Sequence, residues 1–234
     1  MKYCHNSLIS IKQELFVKKY FIPLVSATVI NVAVAQSDVS TFFQQLQTFN
    51  ANFSQVVEQD GKVVQRSTGK VWLKKPLKFR WNYQTPDPMQ LVSDGRRFYH
   101  YDIDLAQVTT KPLSEITNTA SMTLLSDKKR LDQVFNIQSF SAPAVKKRFP
   151  RYAKQWLKKA ILFYQLTPKN KNVKDGQPSL LVLGLTAKRR LNVFYAEDNY
   201  GKNNFIFSNV QQGGAIADAQ FNFKAPAGVD VLGQ

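Results

Sequence analysis

Residues 69–104, GKVWLKKPLKFRWNYQTPDPMQLVSDGRRFYHYDID, decide how this chain folds. Three aromatic side chains, those of Phe79, Trp81 and Tyr83, alternate with polar ones. Because successive side chains of a strand point to opposite faces, these three share one face of a predicted strand. An Asp-Gly pair at 94–95 is a two-residue hairpin signal between two further runs. The stretch therefore predicts three or four consecutive strands in a sheet with one broad apolar face and one wet face.

Strand-like segments continue on both sides of this stretch, with turn signals about every 8–12 residues. We predict a mainly β fold with helices, of the α+β class. Its centre is an incomplete antiparallel β-barrel of about 10–11 strands, covered by a lid of short helices. The predicted strands span residues 52–59, 62–73, 78–83, 90–94, 96–103, 106–111, 160–169, 180–185, 189–198, 203–211 and 219–226.

Two stretches with helical spacing are the candidates for covering the apolar face. Residues 37–49 place apolar side chains at i, i+3, i+4 and i+7, and residues 112–135 show similar spacing. Periodicity alone leaves open whether the space beneath them is a filled core or a ligand cavity. A third stretch, residues 141–160, carries seven basic residues between Lys146 and Lys159 and no acidic one. It predicts a helical or irregular insertion on the surface.

The N-terminus has the pattern of a secretory signal. A basic pair, an apolar run and Ala-Val-Ala ending at Ala35 predict a signal peptide over residues 1–35, cleaved after Ala35. A membrane anchor is the alternative, although an apolar run of about 15 residues is short for a bilayer span. The single cysteine, Cys4, falls in that segment, so residues 36–234 are predicted to be one domain without disulfides. We therefore expect a periplasmic protein, and the net charge of +16 carried by the full sequence is then not explained by binding of genomic nucleic acid.

The side chains needed for catalysis are sparse. The two histidines are His5, in the predicted signal, and His100, which lies between two tyrosines. No phosphate-binding loop, dinucleotide fingerprint or nucleophile elbow occurs in the sequence. A pair of carboxylates, Asp102 and Asp104, could in principle form a hydrolase site, but solvated turn carboxylates are the more common outcome. We expect a protein with no catalytic residues, no metal and no cofactor.

The string from Gly69 to Asp104 resembles a known family, the periplasmic outer-membrane lipoprotein carrier proteins (LolA family). The family pattern G-x-[LVF]-W-[VL]-K-[RK]-P-x-x-[FL]-x-W is followed by P-[DE] and then by [LI]-[VI]-[SA]-[DN]-G. The resemblance extends to residues 49–55, 164–169 and 221–229. It implies a half-open barrel closed by helices, which encloses the acyl chains of a lipoprotein. It also implies a monomer that receives lipoproteins from an inner-membrane ABC transporter and delivers them to an outer-membrane receptor.

The resemblance assigns roles to particular side chains. The matching position to Lys75 holds an Arg in the best-known members, where it bonds lid carbonyls and keeps the lid closed. Lys lacks the planar fork of Arg, so we predict a looser lid clasp at Lys75, with a solvent-exposed strand lysine as the alternative. The predicted wall of the acyl-chain cavity is Phe79, Trp81, Met89, Leu91, Trp72 and Phe53. The predicted lid residues are Phe42, Phe43, Leu46, Met122 and Leu125.

Three other functions compete with that of a lipoprotein carrier: a receptor, a hydrolase and a carrier of another lipid. The receptor of the same pathway shares the fold but carries a lipid-anchored cysteine, which has no counterpart after Ala35 in this sequence. A periplasmic hydrolase would need a nucleophile and a base. A carrier of another lipid or glycolipid on the same fold is the alternative that the pocket residues leave open, because an apolar pocket does not specify its cargo.

Overall fold

The computed structural model describes residues 39–116, 131–170 and 177–233. The described strands form one sheet of twelve in the order β12-β6-β5-β4-β3-β2-β1-β11-β10-β9-β8-β7. Neighbours are antiparallel except β12 and β6, which run parallel. The strands are β1 (Thr48–Gln59), β2 (Lys62–Lys74), β3 (Lys78–Thr85), β4 (Met89–Asp94), β5 (Arg97–Asp102), β6 (Gln107–Pro112), β7 (Phe135–Phe140), β8 (Leu162–Pro168), β9 (Leu180–Leu185), β10 (Leu191–Glu197), β11 (Lys202–Gln212) and β12 (Asp230–Leu232).

The sheet is open, with β12 at one edge and β7 at the other. This arrangement confirms the predicted class, a mainly β fold with an unclosed sheet and a few helices. The described helices are α1 (39–45), α2 (Leu113–Ile116), α3 (Leu131–Val134), α4 (Ala142–Arg148), α5 (Pro150–Trp156) and a 3₁₀ turn, η1 (Asp218–Phe221). Among the described residues, none of these helices has the length and apolar character needed to cross a membrane.

Two Asp-Gly turns join strands in the described part of the chain, including the one predicted at 94–95. Asp60 and Gly61 connect β1 to β2 with φ angles of 50° and 74°. Two successive positive φ angles match a two-residue hairpin turn whose twist suits the flanking strands. Gly95, with φ of 94°, turns β4 into β5, and the Asp94 carboxylate accepts hydrogen bonds from the backbone amides of Arg96 and Arg97 at 2.7 and 2.8 Å. These turns fix the register of the sheet that bears the aromatic side chains.

Several predicted boundaries were wrong. The helix predicted over 37–49 ends at residue 45, and Phe49 lies in β1, because the backbone from Thr48 onward pairs with both β2 and β11. The strand predicted over 219–226 is instead η1 followed by irregular chain. Strands β7 and β12 were not predicted, and they raise the number of described strands to twelve.

The inner face of the sheet carries the larger core. Helix α1 and helix α3 pack there, with Val39 and Leu131 almost fully buried against the sheet. The predicted helix over 112–135 is helical at its described ends, α2 and α3, and the remainder lies outside the described residues. The apolar face is therefore covered by helices, as the sequence indicated.

The outer face over β9, β10 and β11 is covered as well, outside the 69–104 stretch for which a wet face was predicted. Helices α4 and α5, each begun by a proline in the first turn, pack on β9, β10 and β11. Trp156 is completely buried there, and its indole N–H donates to the Asn204 side-chain oxygen at 2.8 Å. The stretch predicted as a surface insertion thus forms a second core on the outer face.

The C-terminal segment, residues 215–223, crosses the outer face beside β2, β3 and β5. Lys74 and Lys78 form ion pairs with Asp218 at 2.7 and 3.1 Å. Arg80 donates from Nε to the Gln220 carbonyl at 2.7 Å and from Nη2 to the Asn222 carbonyl at 2.9 Å. Because side chains of β2 and β3 bind these carbonyls, the segment lies flat on the sheet instead of joining it as a strand.

Candidate functional site

A continuous aromatic surface lies on the inner face where β1, β3 and β11 meet. We call it the aromatic wall and define it as Phe53, Trp81, Tyr83, Phe205 and Phe207. The Phe53 ring lies 5.1 Å from Trp81, 4.9 Å from Tyr83 and 5.9 Å from Phe205, measured between ring centroids. Trp81 lies 5.1 Å from Phe205, which in turn stacks on Phe207 at 6.3 Å. These are favourable separations for offset and edge-to-face aromatic pairs.

Gly69 allows the rings to close over β2. It pairs with Phe53 on one side and with Tyr83 on the other, so it lies between two wall residues. A Cβ atom at this position would lie 2.7 Å from the Phe53 ring and 2.1 Å from the Asn82 carbonyl oxygen. Any side chain here would push the Phe53 ring away from the sheet.

Five of the six predicted cavity residues lie on this face. In the pairing of β3 with β4, Trp81 is opposite Leu91 and Tyr83 is opposite Met89, so Leu91 and Met89 extend the wall. Phe53 belongs to the wall itself, and Phe79 is buried at its far end, 6.1 Å from the Phe98 ring. Strand alternation predicted the shared face of Phe79 and Trp81, and the family resemblance supplied Phe53, Met89 and Leu91.

The sixth predicted residue, Trp72, lies on the opposite face. It pairs with Asn50 and Arg80, whereas its neighbour Val71 pairs with Trp81 on the inner face. The Trp72 side chain lines an outer groove together with Ile216 and neighbouring residues of the C-terminal segment. Including Trp72 in the wall was wrong, because a one-residue step along a strand reverses the face.

The predicted lid residues of α1 pack on the inner face. Phe42 and Phe43 are buried in the same core as the aromatic wall, and their rings meet edge to face at 5.0 Å. Leu46, just after the helix, is half-buried against that core. The other two predicted lid residues, Met122 and Leu125, lie outside the described residues.

Lys75 links the sheet to α1. Its ammonium group donates a hydrogen bond to the carbonyl oxygen of Phe43, and its backbone N–H donates to the Gln47 carbonyl at 2.9 Å. The side chain is half-buried, so the charge is partly shielded from water. The contact joins a charged donor to the C-terminal end of α1, where free carbonyls and the helix dipole both favour a cation.

Polar groups are few on the wall side. Burial raises the pKa of Tyr83 to about 12, so this hydroxyl stays neutral at ordinary pH. His100, opposite Leu91 and Thr109, has a buried Nε2 with no hydrogen-bond partner among the described residues. An apolar surface whose tyrosine hydroxyl is neutral can accept hydrocarbon without separating that group's charge from water.

Asp102 and Asp104, the two carboxylates considered as a hydrolase site, lie at the turn that follows β5. Asp102 accepts a hydrogen bond from the Leu105 amide at 3.0 Å at the end of β5, and Asp104 is exposed in the same turn. Within residues 39–116, 131–170 and 177–233, no three His, Cys, Asp or Glu side chains come together as a metal site would require.

The sequence reasoning missed the β11 part of the wall. Phe205 and Phe207 are spaced i, i+2 in a segment already predicted as a strand, so their shared face was readable. What was not readable is that β11 lies beside β1, which brings these rings against Phe53. The same long-range pairing brings Phe49 to 5.1 Å from Phe207.

Comparison with known proteins gives a consistent result. The profile of the family described as outer membrane lipoprotein carrier protein LolA matches residues 44–224. An outer-membrane lipoprotein carrier protein from Methylococcus capsulatus is 31% identical over 199 residues, covering 84% of this chain and 86% of the relative. A protein of the same name from Nitrosomonas europaea is 29% identical over 217 residues, covering 91% and 97%. A solved LolA superfamily structure from Nitrosomonas europaea covers 80% of this chain and 97% of its own, with 10% identity and a TM-score of 0.41.

Proposed function

The chain belongs to the outer-membrane lipoprotein carrier family, and from this premise we propose that it shields the acyl chains of lipoproteins as they cross the periplasm. The observation that carries the proposal is the aromatic wall on the inner face, covered by α1. The wall and α1 are the apolar surfaces that would face a lipid chain. We propose no catalytic step, and the predicted signal over residues 1–35 accounts for export in this scheme.

The energetic need for such a carrier is large. Each methylene group exposed to water costs about 0.8 kcal/mol, so a 16-carbon chain costs on the order of 12 kcal/mol. A lipoprotein with several chains therefore does not leave a membrane unaided. A protein surface of Phe, Trp, Leu and Met side chains recovers most of this free energy, and Met adapts to irregular shapes.

Loading requires α1 to move. Phe42 and Phe43 are buried in the same core as the aromatic wall, and an acyl chain entering there would compete with them. We propose that the chain replaces these two side chains, and that the hydrogen bond from Lys75 to the Phe43 carbonyl holds α1 down when cargo is absent. Such a charged hydrogen bond is worth about 1.5–3 kcal/mol, so one buried acyl chain exceeds it several-fold.

The partners follow from the same proposal. Cargo would be loaded from an inner-membrane ABC transporter and passed to an outer-membrane receptor, because this chain has no nucleotide-binding motif that could drive the transfer. Binding of acyl chains must then be strong enough to prevent loss in water and weak enough to allow delivery.

The test is release of lipoproteins from membranes. The exported protein is incubated with spheroplasts that hold labelled outer-membrane lipoproteins, and the soluble fraction is examined for a complex of one carrier with one lipoprotein. Appearance of this complex supports the proposal. Extraction of free lipid without any lipoprotein would instead show a carrier of another lipid or glycolipid.

Two tryptophans provide a matched pair of variants. Trp81→Ser removes an indole from the wall, whereas Trp72→Ser removes one from the outer face of the neighbouring strand. Both positions are half-buried, so both variants lose comparable packing. We expect Trp81→Ser to reduce release strongly and Trp72→Ser to leave it largely intact. Equal loss in both would mean that release depends on stability and not on the wall.

A further inference from the structure

Helices α4 and α5 present two very different sides. Their apolar side faces the sheet, and the opposite side must therefore face solvent. The buried residues are Val145, Phe149, Tyr152, Ala153 and Trp156. Because these side chains fix the helices on β9, β10 and β11, the orientation of the outward side is set by the core beneath it.

The outward side is strongly basic. We call it the basic face and define it as Lys146, Lys147, Arg148, Lys154, Lys158 and Lys159, all of which are exposed. No acidic residue occurs anywhere in residues 141–161. Within the part of the chain that the structure describes, no acidic side chain forms an ion pair with any of the six. Acidic side chains of the described segments therefore do not compensate the positive charge of this face.

The neighbouring Arg151 shows the contrast. Its guanidinium forms an ion pair with the buried Glu58 at 3.0 Å and donates to the Gly61 carbonyl at 3.1 Å. Arg151 therefore anchors α5 to the hairpin between β1 and β2. The five lysines of the basic face are exposed and form no such ion pair among the described residues, whereas the Arg148 guanidinium lies over the Phe140 and Phe149 rings at 6.0 and 5.9 Å. The lysine charge is therefore available to a partner.

We propose that the basic face docks the protein on an anionic phospholipid surface. Five of its six residues are lysines, which are depleted in protein interfaces but suit mobile phosphate headgroups as hydrated point charges on flexible stems. Clusters of four to eight basic residues bind anionic lipid with about 1 kcal/mol from each. Ile161, two residues after Lys159, is 64% exposed and can add an apolar contact with the lipid interface.

The position of the basic face suits a carrier. It lies on the outer face of the sheet, whereas the aromatic wall and α1 lie on the inner face. A protein docked through the basic face therefore keeps α1 and the Lys75 contact uncovered. Docking would raise the concentration of the carrier at the membrane without blocking cargo entry. The docking proposal is therefore an addition to the proposed function and not an alternative to it.

The test measures vesicle binding by co-sedimentation. The exported protein is mixed with vesicles of phosphatidylcholine alone or with about 30% phosphatidylglycerol, at about 0.05 M and about 0.5 M salt. We expect binding to the anionic vesicles that falls steeply with salt. In a variant with Lys146, Lys147, Lys154, Lys158 and Lys159 changed to Gln, we expect binding at least about tenfold weaker.

The control variant removes the same charge elsewhere. Its exposed positions are Lys62, Lys70, Lys111, Lys188 and Lys224, each changed to Gln. We expect this variant to bind nearly as well as the unmodified protein, and Trp156 fluorescence to show that α5 remains packed in both variants.

Equal loss in the two variants, or no anionic-vesicle binding at all, would overturn the proposal. If the protein is retained on immobilised polyglutamate but does not bind vesicles, the basic face binds an acidic polypeptide and not a membrane. This result would also overturn the proposal. Lipoprotein release from spheroplasts is measured separately, so the two proposals fail independently.

Discussion

Replacing Lys75 with Met should loosen α1 without disturbing the wall. Met keeps the length and much of the apolar stem of Lys but cannot donate to the Phe43 carbonyl. The carbonyl is then left at the end of α1 with one donor fewer. Lys75→Arg keeps the charge and adds further donors in a planar fork, so it should hold α1 at least as firmly.

The magnitude follows from the geometry. A hydrogen bond from a charged donor is worth about 1.5–3 kcal/mol when shielded, and the half-buried position of Lys75 reduces this to about 1–1.5 kcal/mol. The backbone bond from Lys75 to Gln47 is kept in either variant. We therefore expect the open population of α1 to rise about five- to tenfold in Lys75→Met.

The assay is the distance between spin labels at Gln44 on α1 and Ser54 on β1, both of which are exposed. A longer-distance component should grow in Lys75→Met and should not grow in Lys75→Arg. Lys74→Met is the matched control, because Lys74 binds Asp218 and the Ile216 carbonyl on the outer face. An unchanged distance distribution in Lys75→Met, or the same change in Lys74→Met, would refute the clasp.

Three further predictions concern the wall and the second core. Gly69→Ala should destabilise the protein by about 2 kcal/mol or more in urea unfolding, because its Cβ would lie 2.1 Å from the Asn82 carbonyl oxygen. Trp156→Phe should cost about 2–4 kcal/mol, since it shrinks a buried ring and leaves the Asn204 oxygen without its donor. Tyr83→Phe should abolish a tyrosine titration near pH 12 in absorbance, where burial has placed this pKa. Because the folded pKa is raised, the stabilisation from neutral Tyr83 is fully present below pH 10.0 and is lost as pH rises toward about 12.

Each of these has its own check. Thr68→Ala, at the exposed position beside Gly69, should change stability by about 1 kcal/mol or less, and an equal effect at both positions would contradict the steric argument. For Trp156, combining the change with Asn204→Leu should recover part of the loss, and strict additivity would argue against the hydrogen bond. Tyr200→Phe, at a position that is 60% exposed, should leave the high-pH titration in place.

The alternation of β3 and β4 made much of the wall predictable. The two-residue period alone placed Phe79, Trp81 and Tyr83 on one face, and Leu91 was added only through the resemblance of the stretch to a family pattern. Trp72 was predicted on the wrong face, because the face of a β2 side chain depends on which β3 residue it pairs with. Trp72 pairs with Arg80 and therefore shares the outer face with it. The role of Lys75 as a clasp stays a prediction, to which the structure adds a contact with the Phe43 carbonyl.

The second core was missed although the sequence held a signal for it. Strand β9 reads LLVLGL and has no alternation, and Leu181 through Leu185 are all buried. A continuous apolar run indicates a strand covered on both faces. The covering element was not identifiable, because the apolar residues of α4 and α5 are interspersed with lysines that dominate the composition of 141–160.

The position of β1 in the sheet also constrains how the chain can fold as it emerges. β1 lies between β2, which follows it directly, and β11, which comes near the end of the sequence. The Gln55 side chain donates to that of Asn203, across a separation of 148 residues. A chain entering a compartment from its N-terminus can form the β1–β2 hairpin at once, but one edge of β1 stays unpaired until β11 arrives. The centre of the sheet is therefore among the last parts to be completed, and high contact order makes that step slow. A truncation before β11 should consequently yield an aggregating chain in place of a smaller folded carrier.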